Sequence, residues 1–319
     1  MSKIRVGVVR GGPSSEYAVS LLTGENVLRH LDAEKYIPVD ILLTKRGEWY
    51  MKGVRTDLAT IAQHVDVVWN ALHGTFGEDG KVQQLFEQFG ILYTGSDVLG
   101  SALGMHKGLA KERFTEAGLR TPRGMMLASE ESLEDFLVAL AREQRLPVIV
   151  KPLSGGSSVA TKLIRNLSDL RGAIEDARQY GDVLIEEYIE GKEATVCVID
   201  GSSEGEQVVL HPIEIVPPAV NSFFDYDSKY SGASQEICPG RFTPEEMKEL
   251  RESARTAHRA IGARHYSRSD FILSPRGVYI LEINTLPGLT AESLLPKALR
   301  AGNAEVGEFL DHVIGLALA

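Results

Sequence analysis

Short apolar runs alternate with amphipathic stretches through the first hundred residues, and this alternation constrains the fold more than any other feature. The apolar runs are IRVGVV at 4–9, YIPVDILLT at 36–44 and HVDVVWNAL at 64–72. Helix-period stretches, SLLTGENVLRHL at 20–31 and VQQLFEQFG at 82–90, separate and follow them. Apolar runs of this length between helices are typical of parallel strands covered by helices. The pattern predicts an amino-terminal α/β domain.

The chain is too long for one ordinary core, because domains usually hold about 100 to 200 residues and this chain has 319. After residue 100 the order of elements changes, and strands outnumber the helices between them. We predict strands there in the segments PVIVKP (147–152), VATKLIRN (159–166), VLIEEYI (183–189), ATVCVID (194–200), EQVVLHPIEIV (206–216), SDFILS (269–274) and GVYILEIN (277–284). The predicted class is therefore α/β with α+β character and more than one module.

Charge and composition exclude several classes of protein. The formal net charge is −10, and lysine and arginine form no long block, which argues against a surface for nucleic acid. No segment approaches the roughly 18 uninterrupted apolar residues of a membrane-spanning helix, and the amino terminus lacks a signal-peptide pattern. The two cysteines, Cys197 and Cys238, are too few for a disulfide framework. We expect a cytoplasmic protein with no membrane partner.

A Gly/Ser-rich segment, KPLSGGSSVATK at 151–162, suggests a phosphate-binding loop. In the Walker loop the lysine follows the glycines and a helix comes next. Here Lys151 precedes the glycines, and the segment lies between two predicted strands. The sequence therefore predicts a β-hairpin turn rather than a Walker loop.

Two strands near the carboxyl end carry oxygen-bearing side chains at corresponding positions. Asp270 begins one strand, Glu282 and Asn284 end the next, and the turn SPRG joins them. A hairpin brings the three side chains together, and oxygen ligands suit Mg²⁺. Arg268, two residues before Asp270, shares its face of the strand. The same residues also fit plain cross-strand polar pairs and an ordinary ion pair, and the residues alone leave both open.

Two further segments follow predicted strands in the amino-terminal domain. GGPSSEYAVS at 11–20 supplies glycines for a tight turn, and Glu16 then lies near the start of a helix. His73, in NALHGTFGEDG, follows another strand. Glu16 fits either a helix-start acid or a ligand for an ammonium group. His73 fits either a structural or a functional histidine, and no second His or Cys is spaced to form a metal site with it.

The set of motifs, in this order, resembles the ATP-grasp superfamily and, within it, the D-alanine:D-alanine ligases. The resemblance covers nearly the whole chain and rests on GGPSSEYAVSL, HGTFGEDG, YTGS, MHK, VIVKPLSGGSSV, LIEEYIEGKEATV, FFDYDSKY, RSDF and EINTLPGLTAESLLPK. It implies three parts: an amino-terminal parallel α/β domain at 1–103, a central ATP-grasp subdomain at 104–190 and a carboxy-terminal catalytic domain at 191–319. ATP would lie between the last two.

The resemblance also implies roles for individual residues. For ATP they are Lys107, Lys151 and Lys229 at the phosphates, Glu186, Tyr188 and Ile189 at the adenine, and Glu193 at the ribose. For the two Mg²⁺ ions, which Mn²⁺ could replace, they are Asp270, Glu282 and Asn284. At the first D-alanine they are Glu16, Ser157 and Tyr230, together with His73 and Val19. At the oxyanion they are Arg268 and Gly288. At the second D-alanine they are Ser293 and Leu294.

The implied reaction joins two D-alanine molecules through a D-alanyl phosphate, giving D-alanyl-D-alanine, ADP and phosphate for peptidoglycan synthesis. A homodimer is also implied, and the aromatic loop at 217–240 is expected to act as a lid. Three alternatives remain: a sister ligase that uses D-lactate or D-serine, an ATP-grasp ligase for other amino acids, and a nucleotide-binding regulator without catalysis. The sequence departs from the family pattern at Tyr17, His106 and Gly155, which bears on details of the site.

Overall fold

The computed structural model describes residues 2–143, 145–156, 159–203, 205–217 and 234–319. Within these ranges the strands form three sheets, and helices cover them. Among the helices described, none combines the length and the apolar character needed to cross a membrane.

The amino-terminal sheet has the order β4-β3-β2-β1-β5. Its strands are β1 (Ile4–Gly11), β2 (Tyr36–Leu43), β3 (Trp49–Met51), β4 (Val54–Thr56) and β5 (Val67–Asn70), and its helices are α1 (Tyr17–His30), α2 (Leu58–His64), α3 (Lys81–Gln88) and α4 (Val98–Met105). Strand β1 is parallel to β2 and to β5, which confirms the predicted parallel arrangement. Buried Val6, Val8 and Trp69 are typical of strands covered on both faces.

An antiparallel hairpin, β3 and β4, extends this sheet at one edge and differs from the all-parallel prediction. Its turn is Lys52-Gly53, and both residues have positive φ, 52° and 80°. Positive φ at both residues of a two-residue turn matches the right-handed twist of the two strands that the turn joins. Each strand is only three residues long, so hydrophobic periodicity could not indicate it.

The central sheet is antiparallel and has the order β6-β9-β7-β8. It consists of β6 (Gly124–Leu127), β7 (Val148–Pro152), β8 (Lys162–Ile164) and β9 (Val183–Glu187), with helices α5 (Lys107–Glu116) before it and α6 (Leu133–Glu143) and α7 (Leu167–Arg178) within it. Strands β7 and β8 pair with each other, which confirms that the Gly/Ser segment joins two hairpin strands.

The carboxy-terminal sheet has the order β13-β12-β10-β14-β15, with β11 paired to β10. Its strands are β10 (Lys192–Asp200), β11 (Gln207–Val209), β12 (Ile213–Val216), β13 (Gln235–Ile237), β14 (Tyr266–Ser274) and β15 (Gly277–Asn284), and its helices are α8 (Pro244–Ala260), α9 (Leu294–Ala301) and α10 (Val306–Leu318). The single strand predicted at 206–216 is two strands. Pro212, which has no backbone N–H for a ladder, lies at the break.

Three aromatic side chains join the amino-terminal and carboxy-terminal sheets. Trp69 of β5 stacks on Tyr266 of β14, with ring centroids 6.0 Å apart. Phe309 of α10 meets both rings edge-on, at 6.0 and 5.3 Å. Helix α5 buries Ala110 and Phe114 in the core of the carboxy-terminal sheet. The domain boundaries at 103 and 190 stay predictions.

Candidate active site

A cleft of about 670 Å³ lies where the central and carboxy-terminal sheets meet. Strands from both sheets contribute to its walls, together with the start of α5 and the Gly/Ser segment. The residues that line it and were predicted from the sequence are Lys107, Lys151, Glu186, Tyr188, Ile189, Glu193, Asp270 and Glu282. Residues far apart in the chain therefore meet at one cavity.

A buried carboxylate with two lysines lies on one wall of the cleft. Glu186 of β9 is only 2% exposed, and its two oxygens form ion pairs with Lys151 of β7 and Lys111 of α5. Burial alone would raise the pKa of Glu186, but the two ammonium groups outweigh it and lower the pKa. Glu186 is therefore an anion at neutral pH. Burial also lowers the pKa of Lys111, while Glu186 acts to raise it.

Lys107 is the first residue of α5 and projects into the cleft. Its Nζ donates to the carbonyl oxygen of Gly155 at 2.6 Å and lies 3.5 Å from Oε2 of Glu282. Burial lowers the pKa of Lys107, while the charge of Glu282 acts to raise it. His106 caps the helix by accepting from the backbone N–H of Leu109, at 3.1 Å. His106 thus has a structural use at the position where it departs from the family pattern.

Gly155, another departure, has φ of +108°, and a Cβ built there would meet no atom within 4 Å. Space therefore does not require glycine at this position, but backbone conformation does, because side chains disfavour this φ. The conformation turns the Gly155 carbonyl toward Lys107. The glycine is explained by the turn rather than by a side-chain contact.

The segment after β9 forms an apolar wall of the cleft. Tyr188 and Ile189 line the cavity, and the Tyr188 backbone N–H donates to Pro147 at 3.1 Å. The guanidinium of Arg165 lies 5.9 Å from the Tyr188 ring centroid. Glu193, at the start of β10, also lines the cavity. A flat apolar wall beside a carboxylate suits the base and the sugar of a nucleotide.

The predicted β14–β15 hairpin is confirmed, and it places Asp270 directly opposite Glu282. A β-bulge interrupts the ladder between Asp270 and the next residue of β14. Two carboxylates opposite each other repel, so each needs a cation. Nε and Nη2 of Arg268 donate to the two oxygens of Asp270, both at 3.0 Å, and Thr195 also donates to Asp270. Lys107 lies against Glu282.

Arg268 is mostly buried, with 11% of its side chain exposed, and burial alone would lower the pKa of its guanidinium. The charge of Asp270 outweighs burial and raises the pKa, so the group stays protonated. Asn284, the third predicted ligand, lies opposite Arg268 in the ladder. Its Oδ1 accepts from the backbone N–H of Leu286 at 2.8 Å.

This donor set fits Mg²⁺, because the ion prefers oxygen ligands and is usually held by one or two carboxylates plus substrate phosphates. Asp270 and Glu282 supply the carboxylates, and the amide oxygen of Asn284 keeps a second lone pair. Across the described ranges, no group of three or more His, Cys, Asp or Glu side chains is arranged to hold a metal. The fit therefore depends on two carboxylates, one amide and a phosphate-bearing substrate.

Glu16 of the amino-terminal segment lies beside the Gly/Ser segment. A Cβ built on Gly156 would be 3.7 Å from Oε1 of Glu16, and one on Gly74 would be 2.9 Å from Oε2. Ser14 accepts from the Glu16 backbone N–H at 3.1 Å and donates to the carbonyl of His73 at 2.6 Å. Three sequence motifs, at Glu16, Gly74 and Gly156 and 58 to 140 residues apart, therefore meet at the Glu16 carboxylate.

His73 is buried with a polar partner on each ring nitrogen. Nε2 lies 2.8 Å from Oγ1 of Thr23, and Nδ1 lies 3.3 Å from Oε1 of Glu78. Burial raises the pKa of Glu78, and His73 acts to lower it. Val19, which is half-buried, lies on α1 between Glu16 and Thr23. The histidine is thus fixed in orientation close to the Glu16 segment.

The loop before α9 brings together the last group of predicted residues. Ser293 is the N-cap of α9, before Leu294, and its Oγ accepts from the backbone N–H of Thr290 at 3.0 Å. A Cβ on Gly288 would lie 2.9 Å from that Oγ, so glycine allows the close approach. Asn26 of α1 donates to the carbonyl of Leu289 at 2.6 Å and anchors the loop.

Three predicted residues, Ser157, Lys229 and Tyr230, lie outside the described residues, as does most of the predicted lid. The sequence analysis did not identify Lys111 or Thr195, which contact Glu186 and Asp270. Helical spacing could have found Lys111, because it lies four residues after Lys107 on the same face of α5. Nothing in its sequence context marks Thr195. Both cysteines are free thiols, and burial raises the pKa of Cys197 to about 12.

Comparisons with known proteins cover nearly the whole chain. Two family models match, D-ala D-ala ligase N-terminus over residues 5–61 and 52–96 and D-ala D-ala ligase C-terminus over residues 114–315. A D-alanine–D-alanine ligase of Syntrophobacter fumaroxidans is 40% identical, with 99% of this chain and 98% of the relative aligned. That of Geobacter sulfurreducens is 37% identical, with 97% and 93% aligned.

Solved structures give the same picture of the fold. The VanG D-Ala:D-Ser ligase of Enterococcus faecalis superposes with a TM-score of 0.88 at 29% identity, covering 99% of this chain and 100% of that one. A D-alanine–D-alanine ligase of Bacillus anthracis in complex with ATP superposes with a TM-score of 0.81 at 32% identity, covering 99% and 97%. The ATP-grasp expectation for the fold is confirmed.

Proposed function

Because the chain belongs to the D-alanine–D-alanine ligase family of ATP-grasp enzymes, we propose that its cleft holds ATP and assembles the chemistry of peptide-bond formation. The enzyme catalyses the ATP-dependent ligation of two D-alanine molecules to D-alanyl-D-alanine, with release of ADP and phosphate. The family places this reaction in the synthesis of peptidoglycan precursors.

One observation carries the assignment of the site. Two buried lysines and two opposed carboxylates line a single cleft: Lys107 lies 3.5 Å from Glu282, which is opposite Asp270, and Lys151 pairs with Glu186. Lysines attract phosphate oxygens, and carboxylates hold the divalent cation that accompanies them. The apolar wall at Tyr188 takes the adenine, and Glu193 takes the ribose hydroxyls. A nucleoside triphosphate with its divalent cation fits this arrangement better than an uncharged ligand.

In the first step, the carboxylate of one D-alanine attacks the γ-phosphorus of ATP. The new P–O bond gives D-alanyl phosphate, and ADP leaves with the electrons of the broken bond. Lys107 and Lys151 offset the charge on the phosphoryl oxygens, and Glu16 holds the ammonium group of this D-alanine. His73 and Val19 border the same subsite.

In the second step, the amine of the other D-alanine attacks the carbonyl carbon of D-alanyl phosphate. Arg268, buried and protonated, and the backbone at Gly288 stabilise the tetrahedral oxyanion. Phosphate then leaves as the C–O bond breaks, and it takes up the proton that the attacking amine loses. Ser293 and Leu294 hold the carboxylate of this second D-alanine. The roles implied for Ser157, Lys229 and Tyr230 stay predictions.

Asp270, Glu282 and Asn284 would hold Mg²⁺, for which Mn²⁺ could substitute. The ion, when bound, supplies charge neutralisation for the phosphates. We also propose a homodimer and a cytoplasmic location, in agreement with a reaction that consumes ATP. The dependence of activity on Mg²⁺ or Mn²⁺ tests the metal proposal, and the mass of the enzyme in solution tests the homodimer.

A second candidate is a ligase that uses D-serine as the acceptor, because a D-Ala:D-Ser ligase superposes with a TM-score of 0.88. The curated relatives at 40% and 37% identity are D-alanine–D-alanine ligases, which favours D-alanine. The enzyme is incubated with ATP and labelled D-alanine as the donor. D-alanine, D-serine and D-lactate are supplied as competing acceptors. D-alanyl-D-alanine is the expected main product, and preferential formation of D-alanyl-D-serine or D-alanyl-D-lactate would overturn the choice of acceptor.

A further inference from the structure

Lys111 lies behind the nucleotide cleft rather than in its lining. It is 9% exposed, and it forms an ion pair with Oε2 of Glu186. Its Nζ also donates to the carbonyl oxygen of Pro122 at 2.9 Å. The other oxygen of Glu186, Oε1, pairs with Lys151, which does line the cleft. The three charged groups therefore form a row: Lys151 and Glu186 line the cleft, and Lys111 lies on the far side of Glu186, where it borders a second cavity.

The charges in this row determine how strongly Lys151 attracts an anion. Glu186 with Lys151 alone would be a neutral pair, and its attraction for a phosphate would be weak. With Lys111 the row carries a net charge of about plus one. Coulomb interactions are strong in a buried site, where water does not screen them. The charge of Lys111 thus bears on the cleft through Glu186.

We propose that Lys111 is a positioning residue for the phosphates of ATP: it balances the charge of Glu186 and so leaves the charge of Lys151 for the phosphate chain. This inference rests on the proposed phosphate role of Lys151. Lys111 does not line the cleft, so it acts on the nucleotide through Glu186 and Lys151. Its effect should grow with the charge of the nucleotide and vanish for a nucleoside.

A purely structural ion pair is the competing explanation, because breaking a buried pair destabilises a protein. A structural role predicts that removal of Lys111 lowers stability and weakens adenosine and ATP alike. The charge-balancing role predicts that adenosine affinity is kept while ATP affinity falls. The ratio of the two affinities therefore separates the explanations.

The experiment measures dissociation constants for adenosine, ADP and a non-hydrolysable ATP analogue at fixed Mg²⁺. The main variant is Lys111→Gln, which removes the charge and keeps a hydrogen-bond donor, and Lys111→Met is the second. We expect the ratio of ATP-analogue affinity to adenosine affinity to fall about tenfold. This is the change in an equilibrium constant that corresponds to an electrostatic interaction worth one pKa unit. An intermediate fall is expected for ADP. The matched control is Lys162→Gln, an exposed lysine paired with Asp176.

Two rescue variants test whether the effect passes through charge. Lys111→Arg keeps the charge and should keep the ratio near the wild-type value. The double variant Lys111→Gln/Glu186→Gln lacks both charges, so no carboxylate neutralises the charge of Lys151. The ratio of ATP-analogue affinity to adenosine affinity should therefore recover, even if adenosine affinity itself changes. A folded double variant whose ratio stays as low as that of Lys111→Gln would overturn the proposal.

Lys151→Met distinguishes this inference from the proposed function. If Lys151→Met keeps the ATP preference, the phosphate role of Lys151 is wrong, and the inference fails with it. If Lys151→Met loses the preference but Lys111→Gln and Lys111→Met keep it, only the inference fails. Thermal unfolding of each variant with and without nucleotide identifies any that do not fold.

Discussion

Lys107 and Glu282 form an ion pair across the cleft, with Nζ and Oε2 3.5 Å apart. The same ammonium donates to the carbonyl of Gly155 at 2.6 Å. One side chain at the start of α5 thus contacts both the Gly/Ser segment and the carboxylate pair of the β14–β15 hairpin. It lies where a phosphate would meet both the loop and the carboxylates.

The first prediction concerns the alkaline limb of ATP binding. Burial holds the pKa of Lys107 below the ordinary value of 10.5, with Glu282 acting in the opposite direction. As pH rises, Lys107 loses its proton before an exposed lysine would, so attraction for phosphate falls. The Michaelis constant for ATP should then rise at alkaline pH. Lys107→Arg should move this rise to higher pH, because a guanidinium stays protonated. If the Michaelis constant for ATP rose at the same alkaline pH in both proteins, the assignment of Lys107 to the phosphates would be contradicted.

The second prediction concerns the opposed carboxylates. Asp270→Asn and Glu282→Gln each remove one charge and keep the size of the side chain. Turnover should fall at least about a hundredfold, as it does when a group that stabilises transition-state charge is removed. Phosphate release is the measurement, with the Mg²⁺ concentration varied. Glu134→Gln, at an exposed ion pair with Arg171, is the control. Unchanged turnover in either cleft variant would refute the metal assignment.

The third prediction uses two glycines with similar backbone conformations. Gly74 and Gly90 have φ of +70° and +63°, so alanine strains both. Only at Gly74 does the added Cβ meet the carboxylate of Glu16, at 2.9 Å. Gly74→Ala should raise the Michaelis constant for the first D-alanine and leave that for ATP unchanged. Gly90→Ala should change neither constant. Equal effects of the two substitutions would show that strain alone is responsible.

The fourth prediction concerns stability. Asp311 of α10 pairs with Lys35 and accepts from the Tyr36 hydroxyl, and these contacts lower its pKa below 3.8 although burial acts to raise it. A depressed carboxylate pKa stabilises the fold above the unfolded-state pKa, and that stabilisation is lost as pH falls through the folded-state value. Asp311→Asn should therefore lower the free energy of unfolding at pH 7 by about 1 kcal/mol.

Urea denaturation of both proteins at several pH values measures this difference. It should shrink as pH falls below 3.8, the ordinary pKa of an aspartate, because the carboxylate of the unfolded chain then binds a proton before that of the folded protein does. A difference that stayed constant between pH 7 and pH 3 would show that the contribution does not depend on the charge of Asp311.

The sequence predicted that a hairpin brings Asp270 close to Glu282, because the turn SPRG joins the two strands. It did not predict the β-bulge after Asp270, without which the register set by the turn would place Asp270 opposite Leu281. It also predicted the parallel strands β1, β2 and β5, whose apolar runs are long enough to recognise. The β3–β4 hairpin was not predictable, because three-residue strands carry no usable period. Loss of an interior backbone N–H at Pro212 explains why one predicted strand is two.

Residues that meet across the fold were beyond the reach of spacing arguments. Glu16 and Gly156 are 140 positions apart, and only the family resemblance, which joined Glu16 to the neighbouring Ser157, suggested that the two segments belong to one site. The Glu186 carboxylate was predicted as part of the adenine wall, but its two lysine partners come from α5 and β7. Such a cluster depends on how a helix packs against a sheet, which local pattern does not encode. Helical spacing would still have drawn attention to Lys111.

The central claim is that the D-alanine carboxylate itself attacks ATP, and oxygen labelling tests it most directly. The enzyme is supplied with ATP and D-alanine that carries ¹⁸O in its carboxylate, and the released phosphate is analysed by mass. An acyl phosphate route transfers one carboxylate oxygen to phosphate, so each phosphate should contain one atom of ¹⁸O. Phosphate released without ¹⁸O, while dipeptide forms, would contradict the account.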